Sequence, residues 1–432
     1  MSDSFDAIVV GAGFGGLGCA LRLAERGRKP LLLETLNYPG GCASTYSRAG
    51  FKFESGATLF SGLDKTQFFG QWIAKHQIPL EIEKLDPVVD FRSPTVDFPV
   101  PASREAFVEA WCSQPGAPAE KLRRFFRYQE RIADALWSVL DDPALLPPFG
   151  WRALISHALR LPRYLPLLRF LGRPALSVLR AYGLEDYAPL RTYLNGLCQI
   201  TVQCGVEEAE SAFALSTMDY YFRGTGHVRG GIGSLAEGLV EAIRRAGGEV
   251  RLSTRAKKIE RGANGNWTVE TRRGSFDAPA LALNLLPQNA GELLGKNNRT
   301  SERLSSEVAG GWGACMLYLV AREPEGPGVI DEKAHHVEIV QDPNAPHPGD
   351  DNHADNGSAM VLNRNGTTGT RYSHGYAVRA LPSDKWQLIF VFCDSPQATD
   401  GFVTSSDVRL CVYDGDTRYV TSTDDDVFVL ED

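Results

Sequence analysis

The chain has 432 residues, 43% of them hydrophobic, with a net charge of −8, which is enough for two or three packed domains. Residues 343–432 carry the whole imbalance, 14 acids against 6 bases, while residues 1–342 hold 39 of each; no basic nucleic-acid-binding face is expected. No run approaches the roughly 18–20 apolar residues of a membrane span, the acidic opening MSDSFD reads as no secretory leader, and the eight cysteines include no CxxC pair, so free thiols of a reducing cytoplasm are expected, with no disulfide frame and no metal site.

The apolar run Ile8-Val9-Val10 predicts a strand that leads into Gly11-x-Gly13-x-x-Gly16, with Phe14 and Gly15 inside the turn. Leu17, Ala20, Leu21, Leu23 and Ala24 follow at helical spacing until Gly27 stops the helix, and Leu31-Leu32-Leu33 predicts a second strand ending in Glu34. Each part suits a dinucleotide. Gly11 allows the tight turn, Gly13 lets backbone approach a pyrophosphate, and Gly16 lets the helix pack on the strand. The helix N-terminus offers free N–H groups to phosphates. Glu34 stands where a carboxylate accepts from ribose hydroxyls and repels the extra phosphate of an NADP-type nucleotide. This unit alone does not separate FAD from NAD.

Pro39-Gly40-Gly41-Cys42 then predicts a turn with bare backbone beside the nucleotide, or a plain surface turn. A short strand from Gly50 reaches another glycine turn at Gly56, placed to line a reactive end of the cofactor. Residues 64–76 and 103–141 read as helices, with short strands around 80–99. Residues 143–184 hold no acid, but carry Arg152, Arg160, Arg163, Arg169, Arg173 and Arg180 among aliphatics and Trp151. Pro162, Pro166 and Pro174 are expected to break this stretch into short helices, arginines to one side and aliphatics to the other, as in a helix lying in a lipid interface; arginines solvating one face of core helices are the alternative. A helix is expected over 207–222, a glycine turn at Gly230-Gly231, a helix over 234–246, and strands at 249–252 and near 256–260, 267–272 and 280–285. The pattern predicts an α/β fold: a discontinuous Rossmann-type nucleotide-binding domain over 1–100 and 228–300, and a helical or mixed substrate and membrane-facing domain over 101–227 and 301–342.

VVGAGFGGLGCALRLAERG, the spacing from Glu34 to Gly40-Gly41, the stretch Leu194-Asn-Gly-Leu-Cys-Gln-Ile-Thr-Val-Gln, and RGTGHVRGGIGSLAEGLVEAIRRAGGEVRL together resemble the FAD-dependent amine-oxidase-like superfamily, and most its phytoene desaturase and carotenoid isomerase branch. The resemblance covers about residues 5–342. It implies FAD bound without a covalent link, with Gly231 in a second flavin-contacting segment and a strand at Ala256-Lys-Lys-Ile259 lending backbone to the adenine end. It implies hydrogen transfer or isomerisation on carotenoids or related isoprenoid lipids, and with the segment at 143–184 a protein peripheral to a cytoplasmic membrane face is expected. A saturase, an oxidase of amines or other substrates, and an impaired nucleotide-binding remnant are the alternatives. Where the family has Gly-Gly-Arg or Gly-Gly-Ser, this chain has Gly41-Cys42.

With the difficult step left to a flavin, a general base is sought among His227, Tyr220 and Tyr221; a hydrogen-bonded turn residue is the other reading of His227. Cys42 modulates the ring or simply packs. The histidines at 335, 336, 347 and 353 lie in a Pro/Asp/Asn/Gly-rich stretch and are read as a flexible loop without metal-type spacing. Residues 343–432 form an atypical acidic tail that lacks the family's flavin-closing glycine-rich segment, with Asp414-Gly-Asp416 only an echo of it. The tail is read as a small β unit, as a divergent end of the substrate domain, or, preferably, as sequence replacing the closing end.

Overall fold

A computed structural model describes residues 4–295 apart from 49–50, 94, 147–148 and 203, and eight strands beyond them. In chain order the elements are β1 (Ala7–Val10), α1 (Phe14–Glu25), β2 (Pro30–Leu33), β3 (Thr45–Arg48), β4 (Phe51–Glu54), α2 (Phe68–Lys75), β5 (Ile82–Glu83), β6 (Val89–Arg92), β7 (Asp97–Val100), α3 (Arg104–Cys112), α4 (Ala119–Leu140), α5 (Trp151–Leu168), α6 (Ala175–Tyr182), α7 (Ala188–Val202) and α8 (Ser211–Thr217). There follow β8 (His227–Val228), α9 (Gly233–Arg245), β9 (Glu249–Arg251), β10 (Ala256–Arg261), β11 (Trp267–Thr271), β12 (Gly274–Ala278), β13 (Ala280–Leu283), α10 (Pro287–Leu294), β14 (Leu317–Val320), β15 (His336–Val340), β16 (Ala359–Thr367) and β17 (Thr370–Tyr376), then the hairpins β18 (Val378–Leu381) with β19 (Lys385–Leu388) and β20 (Val412–Asp414) with β21 (Thr417–Tyr419). The chain divides into two compact units: Met1–Phe60, Phe69–Glu83 and His227–Gly313; and Ser61–Phe68, Lys84–Gly226 and Ala314–Asp432.

In the first unit β1, β2, β9 and β13 form a parallel sheet in the order β13-β1-β2-β9, with Val10 level with both Leu33 and Leu283. β1 and β2 are buried on both faces, which is why they read as apolar runs without alternation. Ile8, Val10, Leu31 and Leu33 pack against Ile259, Val269 and Ala278 of the antiparallel sheet β10-β11-β12. The intervening Val9 and Leu32 face α1 and α9, whose Leu17, Leu21, Leu235 and Leu239 are buried. β12, which sequence reasoning missed, closes a hairpin on β11 through Gly274 at φ +118.

In the second unit β6 and β7 belong to a six-stranded sheet in the order β14-β17-β16-β15-β6-β7. The expected end of the nucleotide-binding domain at residue 100 is therefore misplaced: β6 pairs with β15, Phe91 beside Glu338, β7 pairs with β6, and residues 84–100 lie in the second unit. β16 and β17, inside the expected tail, complete the same sheet. His336 lies in β15 and is buried, contrary to the loop reading of its stretch; His335, His347 and His353 lie outside the described residues.

Helix boundaries also move. The helix expected over 103–141 is two, because Pro115, Gly116 at φ +72 and Pro118 interrupt it. The helix expected over 207–222 shrinks to α8 and a separate single turn at Tyr220–Phe222. The expected break of 151–168 into short helices is wrong: α5 runs through Pro162 and Pro166. Both prolines project with Ile155 and Leu159 from the outer side of the helix at 100° per residue, so their rings leave the packed side undisturbed. The inner side is fixed by buried Ala153, by His157 to the Leu145 carbonyl (3.0 Å), by Arg160 to the Ser138 carbonyl (2.9 Å) and by the Tyr128 hydroxyl donating to the Pro166 carbonyl (2.9 Å). The outer side leaves Trp151, Leu154, Ile155, Leu159, Leu165 and Leu168 exposed, Leu159 by 78%. No described helix is long and apolar enough to cross a membrane.

Candidate functional site

Gly11 takes the chain out of β1 at φ +99 while its amide donates to the Leu33 carbonyl (2.8 Å). A Cβ on Gly16 would run into the Gly11 carbonyl oxygen, so only glycine lets α1 begin this close to the strand. The second glycine turn docks on the first: the Gly40 amide donates to the Ala12 carbonyl (2.8 Å), and a Cβ on Gly41 would stand 3.1 Å from the Gly13 Cα. The first helical bond of α1 runs from the Leu17 amide to the Gly13 carbonyl, and no side chain among the described residues caps the amides ahead of it. Free amides at the positive end of a twelve-residue helix suit an anion. Phe14 opens that helix and packs on Phe60 and Phe69, ring centroids 5.1 and 5.7 Å away.

Glu34 ends β2 half-buried, its carboxylate accepting from the Ala12 amide (2.6 Å) and the Leu36 amide (2.9 Å). The two bonds fix it beside the glycine turn and leave each oxygen a further lone pair for a ribose hydroxyl. The Thr254 amide donates to the Glu34 carbonyl (2.6 Å), which brings the start of β10, with buried Ala256, to the same end of the sheet.

Cys42 is exposed in a single turn, Gly41–Ala43, whose carbonyls at Gly41 and Cys42 accept from the Ser55 hydroxyl (3.4 and 3.2 Å). A Cβ on Gly56 would lie 2.6 Å from the Cys42 carbonyl oxygen. Gly231, at φ +93, abuts Thr45, whose hydroxyl accepts from the Gly233 amide (2.8 Å), while fully buried Glu54 accepts from the Ile232 amide (2.7 Å). The first turn of α9 is thus filled by side chains, whereas that of α1 is open. Glu54→Ala should cost about 2 kcal/mol in denaturant unfolding, since it strands the buried Ile232 amide and uncaps α9; an unchanged midpoint would remove this role.

His227 sits in β8, buried, its Nδ1 3.4 Å from the Thr58 carbonyl oxygen just past Gly56. Burial pulls its pKa below the usual histidine value, so it is neutral near pH 7. Tyr220 and Tyr221 lie in the second unit, after Asp219, which is fully buried and bonded by Arg104 (Nε, 2.9 Å) and by Arg223 (2.6 Å). The Tyr221 hydroxyl donates to Glu338 (2.8 Å), and burial pushes both phenols upward, which makes them neutral donors and poor bases.

Sequence reasoning missed Thr45, Glu54 and Asn284. Thr45 and Glu54 carry no motif, only their place in β3 and β4. Asn284 had a signal: a polar residue directly after the apolar run of a parallel strand. Among the described residues no His, Cys, Asp and Glu cluster could hold a metal.

The open amides of α1 and the Glu34 carboxylate beside them fit a dinucleotide such as FAD. The model of the flavin-containing amine oxidoreductases matches residues 14–284. The chain is 26% identical over 265 residues to the all-trans-retinol 13,14-reductase of Homo sapiens (57% of this chain, 41% of that one) and 28% identical over 269 residues to the chloroplastic prolycopene isomerase of Daucus carota (60% and 42%); it thus spans less than half the length of these relatives. Among solved structures it resembles an oxidoreductase from Methanosarcina mazei, with a TM-score of 0.55 at 16% identity over 88% of this chain and 79% of that one. Glycine cradle, ribose-side carboxylate and family match agree: the chain belongs to the flavin-containing amine oxidoreductases, a family of FAD-dependent enzymes, and its cofactor is FAD.

Proposed function

We propose that this protein is an FAD-dependent oxidoreductase of lipophilic polyenes or other isoprenoids, of the carotenoid desaturation or isomerisation type, docked on a membrane surface. The observation that carries it is the open, backbone-lined cradle at Gly11–Gly16 with Glu34 beside it, in a chain whose relatives act, by name, on prolycopene and retinol. Bound FAD supplies the hydride acceptance or donation that no side chain provides. The first unit holds it through Gly11, Gly13, Phe14, Gly15, Gly16, Glu34, Gly40, Gly41, Cys42, Gly56, Gly231 and Ala256. Within the same unit His227, neutral and held through Nδ1 by the Thr58 carbonyl, leaves Nε2 as a hydrogen-bond acceptor close to the Gly56 turn. A saturase is the second reading, favoured by the likeness to the retinol reductase.

Purified protein should show the absorbance of an oxidised flavin, and a carotenoid that is desaturated should bleach it anaerobically as a hydride passes from the substrate to the flavin, whereas a saturase should oxidise prereduced flavin on addition of a polyene. Colourless protein that ignores added FAD would leave only an impaired remnant.

The outer side of α5 supports the membrane part: half a helix of exposed aliphatics beside Arg152 and Arg163, with no acid from 143 to 184. An anionic lipid surface matches both the apolar side and the cations. Wild-type protein should sediment with anionic vesicles, and the double variant Leu159→Asp with Leu165→Asp should weaken that by roughly 100-fold, at about 1.5 kcal/mol for each leucine withdrawn. Equal sedimentation of both would dismiss this docking face.

A further inference from the structure

Three glycines of the cofactor turn face the side chain of one residue, Asn284, and a fourth faces its backbone. A Cβ on Gly13 would stand 2.8 Å from Asn284 Nδ2, and one on Gly15 2.7 Å from Asn284 Oδ1. One on Gly16 would lie 3.3 Å from Asn284 Cβ, and one on Gly11 would strike the Asn284 carbonyl oxygen. Gly15 is not among the three spaced glycines of the dinucleotide motif, yet a Cβ there would push the Asn284 carboxamide from its place.

The place of Asn284 in the sheet says what it faces. It follows β13 directly, its amide donating to the Val10 carbonyl (2.8 Å), so its backbone is held by the last rung of the β1–β13 ladder. From β1 the chain turns through α1 towards β2; from β13 it turns through α10, which packs on β10 across the sheet from α1. Neighbouring parallel strands whose connections leave to opposite faces open a crevice at their carboxyl ends, and dinucleotides bind in that crevice. The Asn284 carboxamide stands in it, over Gly13 and Gly15 and beside the open amides of α1.

We infer that Asn284 is a ligand of the cofactor's pyrophosphate, presenting its NH₂ group to the phosphates alongside the amides of α1. An asparagine suits this position on three counts. It is neutral, where an aspartate would set a carboxylate against a diphosphate. It is short enough to lie across two glycines. Its NH₂ end, on the Gly13 side, carries two N–H donors.

The inference rests on FAD being the cofactor, and the test separates the two claims. The full chain is titrated with FAD, followed by quenching of flavin fluorescence, and then with ADP and adenosine as competitors. Asn284→Asp is nearly isosteric. It should weaken FAD and ADP by at least about tenfold while leaving adenosine, which has no phosphate, unchanged. Asn284→Ala should show the same pattern at several-fold, with an unfolding midpoint close to wild type. If the aspartate variant binds FAD as tightly as wild type, or loses adenosine along with ADP, the inference is overturned while the cofactor assignment stands. A wild-type chain that takes up no FAD overturns both.

Discussion

Gly16→Val should abolish flavin binding and lower the stability of the chain by about 3 kcal/mol or more, at the upper end for overpacked sites. The added Cβ meets the Gly11 carbonyl oxygen, and neither partner can give way. Gly11 is held by its bond to Leu33 at a φ only glycine adopts freely, and α1 is pinned by buried Leu17 and Leu21 against β1 and β2. Relief requires the helix to lift from the sheet, which moves the very amides that face the phosphates. Gly27→Ala is the matched control. Gly27 has φ +71 with nothing within 4 Å of a built Cβ, so it reports left-handed strain alone, about 1 kcal/mol. Urea unfolding and flavin absorbance on both variants decide the matter. A yellow Gly16→Val protein as stable as Gly27→Ala would refute the close helix–strand approach.

Glu338 supplies the second expectation, a loss of stability as pH rises. Its carboxyl is buried under β6, β15 and the aromatic layer of Phe91 and Tyr193, and burial raises its pKa to about 7 against the smaller opposing effect of the Tyr221 hydroxyl bond. Oε2, like the Tyr193 hydroxyl, has no hydrogen-bond partner among the described residues. The folded state therefore holds its proton to higher pH than the unfolded chain does. Below the ordinary carboxyl value both states are protonated and stability is full; it falls as pH rises towards 7 and is lowest above that, by about 3 kcal/mol in total. Glu338→Gln keeps an acceptor for Tyr221 and removes the charge. It should abolish most of this slope and leave the variant more stable than wild type at pH 8. Parallel pH–stability curves for the two proteins would show that Glu338 ionises without penalty.

Much of the cofactor site was legible because its determinants are local. Apolar runs mark strands buried on both faces, and the glycines from 11 to 16 mark a turn where backbone meets backbone. Glu34 declared itself by closing the second run. Other residues resisted for physical reasons. Pro162 and Pro166 read as helix breaks, yet α5 passes through both, its other side held by bonds to Leu145, Ser138 and Tyr128. Residues 84–100 read as part of the nucleotide-binding domain, but strand pairing is a long-range choice, and β6 joined β15 with β7 beside it. His336 and Glu338 lie in a stretch whose composition mimics a loop, although two strands flank it.

The amino-acid sequence by itself determined the strand–turn–helix grip on a dinucleotide, its acid, and the acid-free cationic and aliphatic segment at 143–184, since each depends on residues within a few positions of one another. Only the tertiary structure decided that Thr45 and Glu54 fill the first turn of α9, that Asn284 stands over the glycines of α1, and that Tyr221 meets a buried carboxyl. Those are contacts between distant segments, and they exist only once the two sheets have assembled and excluded water from their faces.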